Sequence, residues 1–183
     1  MMATKYILAV SAALLLCSAK GTYMDATVKN AGGFDIIGIA VRTSNQEEMS
    51  GHSKIGPMWQ RFFAEGIAGR IPNKADGETV VVYYDYKSDK DGPYSYMIGS
   101  RVKSTADIPD GMSLIHVPAG RYAVFTTDRG PVAQVVQKGW KEIWDIPKTK
   151  PGGDRAYKVD YEVYDNRARN PQDSQVDIYI GIK

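Results

Sequence analysis

The chain has 183 residues, of which 43% are hydrophobic, 24% charged and 10% aromatic. This length suits one domain or a duplicated pair of small units, and it is enough to bury a hydrophobic core without stabilising disulfide bonds or metal ions. The formal net charge of +2, from 23 basic and 21 acidic residues, argues against a nucleic-acid partner, which usually requires a clustered basic face. One cysteine excludes a disulfide framework, and two histidines leave little for a metal centre, so we expect neither metal nor cofactor. Tyrosine is abundant, with 12 residues against four phenylalanines.

Residues 1–19 have the pattern of an export signal. Lys5 is their only charge, and the apolar run over residues 6–16 is shorter than the roughly 20 residues of a membrane span. Cys17 and Ala19 occupy the −3 and −1 positions of a cut after Ala19. We therefore expect an exported protein, periplasmic or extracellular, whose mature chain carries a net charge of +1.

A competing interpretation of the same segment is a lipoprotein anchored to the membrane through Cys17. Leu16 weakens it, because a small residue normally precedes a lipidated cysteine. Residues 20–33 are interpreted as a linker or a frayed first strand.

The rest of the chain, residues 34–183, follows one order of elements twice: strand, helix, strand, strand. The first module covers residues 34–103, with strands predicted over 34–43, 79–87 and 93–103 and a helix that begins at Gly56 and Pro57. The second module covers residues 113–183, with strands predicted over 113–127, 156–165 and 174–182 and a helix that begins at Gly130 and Pro131. The first strand of the second module contains a possible bend at Pro118.

Matching residues in the two modules are separated by nearly constant distances along the chain. The separations are 81 residues for Trp59 and Trp140, 78 for Tyr86 and Tyr164, 82 for Gly99 and Gly181, and 83 for Ala40 and Ala123. The pattern predicts an α+β fold of tandem duplicated strand–helix–strand–strand modules. Each module alone would leave one sheet face uncovered, so we expect the two to pack with a central ligand cleft between them.

Helical spacing predicts the buried stripes of the two helices. They are Met58, Trp59, Phe62 and Phe63 in the first, and Val132, Val135, Val136, Trp140, Ile143 and Trp144 in the second.

Strand alternation assigns side chains to the cleft. In residues 156–165, the apolar set is expected to pack on the helices: Tyr157, Val159, Tyr161 and Val163. Glu162 and Tyr164 then point the opposite way. A separation of 78 residues places Tyr84 opposite Glu162 and Tyr86 opposite Tyr164, which predicts a cleft of tyrosines around one acid. The alternative is a solvated outer face, where an alternating strand normally places its charged residues.

An acid among aromatic rings suits a flat or apolar cation. Each ring offers a cation–π attraction of about 0.5–2 kcal/mol, and the carboxylate supplies the countercharge. The same acid would serve as a general acid or base if the ligand carried a labile bond.

Nine segments, taken in order, resemble the GyrI-like effector-binding domains, also known as AraC-type or bacterial transcription activator effector-binding domains. The segments are FDIIGIAVRTSN (34–45), IGPMWQRF (55–62), IPNK (71–74), VYYDYKSD (82–89), YSYMIG (94–99), IHVPAGRYAVF (115–125), WKEIW (140–144), DYEVY (160–164) and VDIYIGIK (176–183). The resemblance covers nearly all of residues 34–183. It implies two modules related by a pseudo-twofold axis and a cleft for lipophilic, often cationic, aromatic compounds.

The same resemblance implies roles for individual residues. The family's central glutamate on the penultimate strand corresponds to Glu162 in DYEVY. The aromatic lining is carried over by position to Trp59, Tyr84, Tyr86, Tyr94 and Tyr122, in addition to Tyr164 from alternation. Trp59 is open to a second interpretation as a core residue of its helix.

The chain departs from the many family members that are fused to a helix-turn-helix unit, because no residues are left for one and the charge is balanced. The resulting expectation is an exported, stand-alone protein that binds a small lipophilic or cationic ligand. One alternative is a hydrolase of cyclopropane-bearing compounds with Glu162 as acid/base, as the resemblance implies for some members. A second is a haem-binding protein of related fold, for which His52 and His116 are the only histidines.

Overall fold

The computed structural model of the chain describes residues 24–183. The predicted export signal, its cut after Ala19 and the alternative anchor at Cys17 lie outside the described residues. Among residues 24–183, no helix is long and apolar enough to cross a membrane.

Eight strands form one antiparallel sheet in the order β1-β6-β8-β7-β3-β4-β2-β5. The strands are β1 (Ala26–Ala31), β2 (Phe34–Thr43), β3 (Thr79–Tyr84), β4 (Tyr94–Val102), β5 (Ser113–Val117), β6 (Gly120–Thr126), β7 (Arg155–Tyr164) and β8 (Asp177–Ile182). The helices are α1 (Asn45–Met49), α2 (Ile55–Ala64), α3 (Ile67–Arg70) and α4 (Val132–Trp144), and a 3-10 turn covers Asn166–Ala168. The predicted α+β class is confirmed, with α2 and α4 as the two expected helices.

The structure decides two open points of the sequence expectation. The segment interpreted as a linker or a frayed first strand contains a strand, β1, which is not frayed but pairs along its whole length with β6. The single bent strand predicted over residues 113–127 is two strands, because Pro118 has no N–H to continue the ladder. As a result β5 pairs with β2, whereas β6 pairs with β8 and β1.

The two longer helices cover one face of the sheet. Met58 and Phe62 of α2 and Trp140 and Ile143 of α4 are buried against it in the larger hydrophobic cluster. Phe63, expected in the buried stripe of α2, is 71% exposed. It lies at the edge of the helix, where its ring stacks on that of Trp59.

The opposite face of the sheet is also buried, in a second hydrophobic cluster that includes Ile36, Val82, Met97 and Tyr161. Phe34 of β2 reaches Tyr161 of β7 with 5.3 Å between ring centroids, although two strands lie between theirs. In a flat sheet these strands would be about 14 Å apart. The sheet therefore curls toward this face and buries both of its sides.

Gly38 and Gly99 allow β2 and β4 to approach closely where they pair. A Cβ atom on Gly38 would overlap the carbonyl oxygen of Ile98, and one on Gly99 would overlap that of Ile37. Only glycine fits at both positions of this pair.

Candidate ligand-binding site

Glu162 lies near the end of β7 on the helix-covered face, and it is only 1% exposed. Its Oε1 accepts hydrogen bonds from the Tyr83 hydroxyl at 2.8 Å and from the Trp140 indole N–H at 2.5 Å. Its Oε2 accepts one from the Tyr164 hydroxyl at 2.6 Å. Three neutral donors, supplied by β3, α4 and β7, thus surround one buried acid.

Within residues 24–183, Glu162 forms no ion pair with a basic side chain. Burial raises the pKa of Glu162 above its ordinary value, because water no longer solvates the carboxylate. The hydrogen bonds from Trp140, Tyr164 and Tyr83 act in the opposite direction but do not cancel the effect of burial.

Aromatic rings continue outward from this acid. The Tyr83 ring contacts Trp140, Tyr96 and Tyr94 at centroid distances of 4.8, 5.1 and 5.6 Å. Burial first, and then the charge of Glu162, raise the pKa of Tyr83 and Tyr96 well above the ordinary value, so both hydroxyls stay protonated. The rings are therefore fixed hydrogen-bond donors as well as apolar walls.

Trp59 connects the site to the protein surface. Its indole N–H donates to the Tyr96 hydroxyl at 2.9 Å, and its ring meets that of Tyr164 edge-on at 5.2 Å. On its other side it stacks on the exposed Phe63 at 5.5 Å. The half-buried Trp59 thus forms the outer layer over Glu162 on the side of α2.

A second buried acid, Asp160, lies two residues before Glu162 on the same face of β7. It forms an ion pair with Arg155, and it accepts hydrogen bonds from the Tyr86 hydroxyl at 2.7 Å and the Gly181 backbone N–H at 2.8 Å. The Arg155 guanidinium lies 4.5 Å from the Tyr157 ring centroid and 5.6 Å from that of Trp140. One of the two acids therefore has its charge compensated within the protein.

The structure places four of the six predicted aromatic site residues on the same face of the sheet as Glu162: Trp59, Tyr86, Tyr94 and Tyr164. Tyr84 and Tyr122 belong to the opposite cluster. In the register of β3 and β7, Glu162 lies opposite Val81, and Tyr84 lies opposite Val159. The expected pairing of Tyr84 with Glu162 is therefore wrong, and the β3 tyrosine that contacts the acid is its neighbour Tyr83.

The predicted faces of β7 are likewise reversed. Tyr161 and Val163 were expected to pack on the helices, but they lie in the cluster on the other side of the sheet, and Glu162 faces α4. Assigning the more apolar set to the helices fails because the curled sheet buries both faces.

Three residues of the site were not predicted as such: Tyr83, Tyr96 and Trp140. Trp140 was interpreted mainly as core, and it is indeed 8% exposed, but its N–H also binds the acid. The separation between the two predicted modules carried a signal for Tyr83. Val82 pairs with Met97, and Tyr161 pairs with Tyr179. Met97 and Tyr179 are separated by 82 residues, as Gly99 and Gly181 are, and their partners Val82 and Tyr161 are separated by 79. A separation of 79, not 78, therefore relates β3 to β7, and it matches Tyr83 with Glu162.

Two surface depressions lie away from Glu162. One, of about 290 Å³, lies between β1, β6 and α4 and is lined by residues that include Asp25, Lys138 and Glu142. The other, of about 400 Å³, lies beside α1 and Met49. In residues 24–183, no group of three histidine, cysteine or acidic side chains is placed to hold a metal ion.

Comparison with known proteins agrees with this architecture. The model of the family "Integron-associated effector binding protein" (Cass2) matches residues 27–182. YobU of Bacillus subtilis (strain 168), named as a transcriptional regulator, is 32% identical over 147 residues, which are 80% of this chain and 90% of YobU. The structure of the integron cassette protein VCH_CASS2 of Vibrio cholerae aligns with a TM-score of 0.68 at 28% identity. The alignment covers 88% of this chain and 97% of the VCH_CASS2 chain.

The structure of SAV2435 bound to tetraphenylphosphonium has a TM-score of 0.67 at 21% identity, with 87% of this chain and 94% of that chain covered. This likeness shows a shared fold. The family match and the relatives at 28% and 32% identity go further, and the chain therefore belongs to the integron-associated effector binding protein family, one of the GyrI-like effector-binding domains.

Proposed function

We propose that this protein binds a lipophilic, cationic, aromatic compound against Glu162. The observation that carries the proposal is a carboxylate, 1% exposed, that three neutral donors hold and that no basic side chain of residues 24–183 neutralises. Burying an unpaired charge is costly, and a bound cation would offset that cost. SAV2435, which shares the fold, was solved with a lipophilic cation of this kind.

We expect the ligand to reach Glu162 past the half-buried Trp59 of α2. The outer layer on this path is Trp59, with Tyr164 on one side and the exposed Phe63 on the other. These rings would move apart and then line the flanks of the ligand, where each offers a cation–π attraction of about 0.5–2 kcal/mol.

The site lies where the two halves of a duplicated chain meet. The strand order is β3-β4-β2 in one half and β7-β8-β6 in the other, and β3 pairs with β7 at the centre. This mirrored order supports tandem modules over residues 34–103 and 113–183 related by a pseudo-twofold axis. Tyr83 comes from the first module, and Glu162 and Trp140 come from the second.

Titration of intrinsic tryptophan fluorescence with tetraphenylphosphonium tests the proposal, with triphenylphosphine oxide as the neutral comparison. We expect the wild-type protein to bind the cation and not the oxide. The Glu162→Gln variant should lose affinity by about tenfold or more, since a charge-assisted contact is removed. Glu142→Gln on α4 removes the same charge at a site ion-paired with Lys138, and it should bind like the wild type. Equal affinity of the Glu162→Gln variant would contradict the proposal.

Hydrolysis is the second candidate, because a buried acid with a raised pKa can serve as a general acid. Mass spectrometry of a cyclopropane-bearing compound after incubation separates the two. A binding protein returns the compound intact, whereas a hydrolase that uses Glu162 yields product with the wild type and none with Glu162→Gln.

Export is also part of the proposal, and it rests on residues 1–19. The mass of the protein recovered from fractionated cells should correspond to a chain that begins at Lys20. A mass increased by acyl groups would indicate anchoring through Cys17 instead, and a full-length cytoplasmic chain would contradict export.

A further inference from the structure

Arg155, the first residue of β7, is a buried cation beside the proposed ligand site. Its side chain is 4% exposed, and its guanidinium lies next to the rings of Tyr157 and Trp140. Nη2 donates to Asp160. Among the residues that the structure describes, no group accepts a hydrogen bond from Nε or Nη1.

Unpaired donors of this kind are rare in protein interiors. A guanidinium carries five N–H groups and no acceptor, and a buried donor without a partner keeps its full desolvation cost. Although burial opposes it, the charge of Asp160 keeps the pKa of Arg155 above its ordinary value, so the group remains a donor. A buried group without a partner in a folded protein is explained by stored strain, by a catalytic role, or by a water, ion or ligand that supplies the missing acceptor.

The backbone next to Arg155 is irregular. The pairing of β7 with β8 shifts between Arg155 and Asp160, and Tyr157 has a left-handed φ of 50°. Left-handed backbone is strained for a bulky residue and clusters at functional sites. Tyr157, which covers the guanidinium, therefore lies where the pairing of β7 with β8 is interrupted.

Trp140 connects this arginine to the proposed cation site. One part of the indole donates to Glu162, and the ring lies beside the Arg155 guanidinium. A ligand that packs along Trp140 would meet an uncompensated carboxylate at one end and unpaired donors at the other.

We propose that the ligand carries a hydrogen-bond acceptor, a carbonyl or ester oxygen, in addition to its cation, and that Arg155 receives this acceptor through Nε and Nη1. This inference rests on the proposed cation-binding function. It narrows the ligand class from lipophilic cations to those with an oxygen acceptor at a distance from the charge.

Two dyes test it: tetramethylrosamine and tetramethylrhodamine methyl ester. They share the same xanthylium cation and pendant phenyl ring and differ by one ester group. Fluorescence anisotropy titration of the wild type should show about tenfold tighter binding of the ester, the effect expected for a hydrogen bond to a charged donor. Arg155→Lys keeps a cation for Asp160 but removes the guanidinium donors, so it should bind rosamine like the wild type and lose the preference. Arg121→Lys, at an exposed arginine of β6, should keep it.

The outcomes are distinguishable. Binding of both dyes with equal affinity to the wild type overturns this inference alone, and that measurement needs no variant to fold. A preference that persists in Arg155→Lys overturns it as well. If neither dye binds, the proposed cation-binding function fails and this inference fails with it.

Discussion

Asp160 and Glu162 extend from the same face of β7, two residues apart, and both are buried, but within residues 24–183 a cation pairs with Asp160 and none pairs with Glu162. Arg155 neutralises Asp160, whereas the donors to Glu162 are two tyrosine hydroxyls and an indole N–H. Because Asp160 holds Arg155, this buried arginine beside the site does not compensate Glu162. The uncompensated charge of the site is therefore that of the Glu162 carboxylate.

Glu162→Gln should stabilise the protein at neutral and alkaline pH. Burial raises the folded-state pKa of Glu162, so the native state binds its proton more tightly than the unfolded state does. The free energy of unfolding then falls as pH rises from the unfolded pKa through the folded one. Glutamine removes this loss, so the gain in Tm should be present at pH 8 and absent at pH 4. Thermal unfolding across this range checks it, and a variant less stable than the wild type at pH 8 would contradict it.

Tyr83→Phe should weaken cation binding, and Tyr84→Phe should not. The Tyr83 hydroxyl donates to Glu162, so its loss raises the pKa of that acid further and reduces its ionised fraction at neutral pH. We expect about fivefold weaker binding of tetraphenylphosphonium at pH 7 and an upward shift of the pH midpoint of binding. Tyr84, on the other face of the sheet, is the matched control. The same shift in both variants would refute the assignment of faces.

Trp140→Phe should destabilise the fold by about 2–4 kcal/mol, because it opens a cavity and removes a donor from a buried carboxylate. Trp144→Phe, one turn later on α4 at a half-buried position, should cost about 1 kcal/mol or less. Urea unfolding of both variants gives the comparison. Equal costs would show that the indole hydrogen bond adds nothing.

Gly38→Ala should destabilise the protein by about 2–4 kcal/mol, because a Cβ atom would overlap the backbone of β4. Gly77→Ala is the control, since a Cβ atom there meets nothing within 4 Å. Chemical denaturation checks both, and a neutral Gly38→Ala would mean that β2 and β4 can separate at this point without cost.

Local pattern was sufficient for most elements. β-Branched residues predicted β2 with the bounds that it has in the structure, and helical spacing predicted α4. The short helices α1 and α3 were missed, since four or five residues carry too little periodicity to distinguish a helix from a loop.

The faces of the strands were predicted less well, and the reason is geometric. Side chains alternate with a period of two, so an error of one residue in the separation between the halves moved Tyr84 to the acid in place of Tyr83. In addition, the alternation rule assumes one wet face, and here the curled sheet buries Tyr161 as well as Glu162.

The sequence by itself determined the α+β class, and it predicted one acid on the penultimate strand among aromatic residues. Only the tertiary structure decided which rings touch Glu162, and that Arg155 belongs to Asp160. Those contacts depend on strand register and sheet curvature. Both are set by the pairing of segments that are distant in the chain, so no single segment encodes them. The structure assigns the abundant tyrosines to two faces of the sheet. Tyr83 and Tyr164 donate hydrogen bonds to Glu162, while Tyr122, Tyr161 and Tyr179 pack on the opposite face.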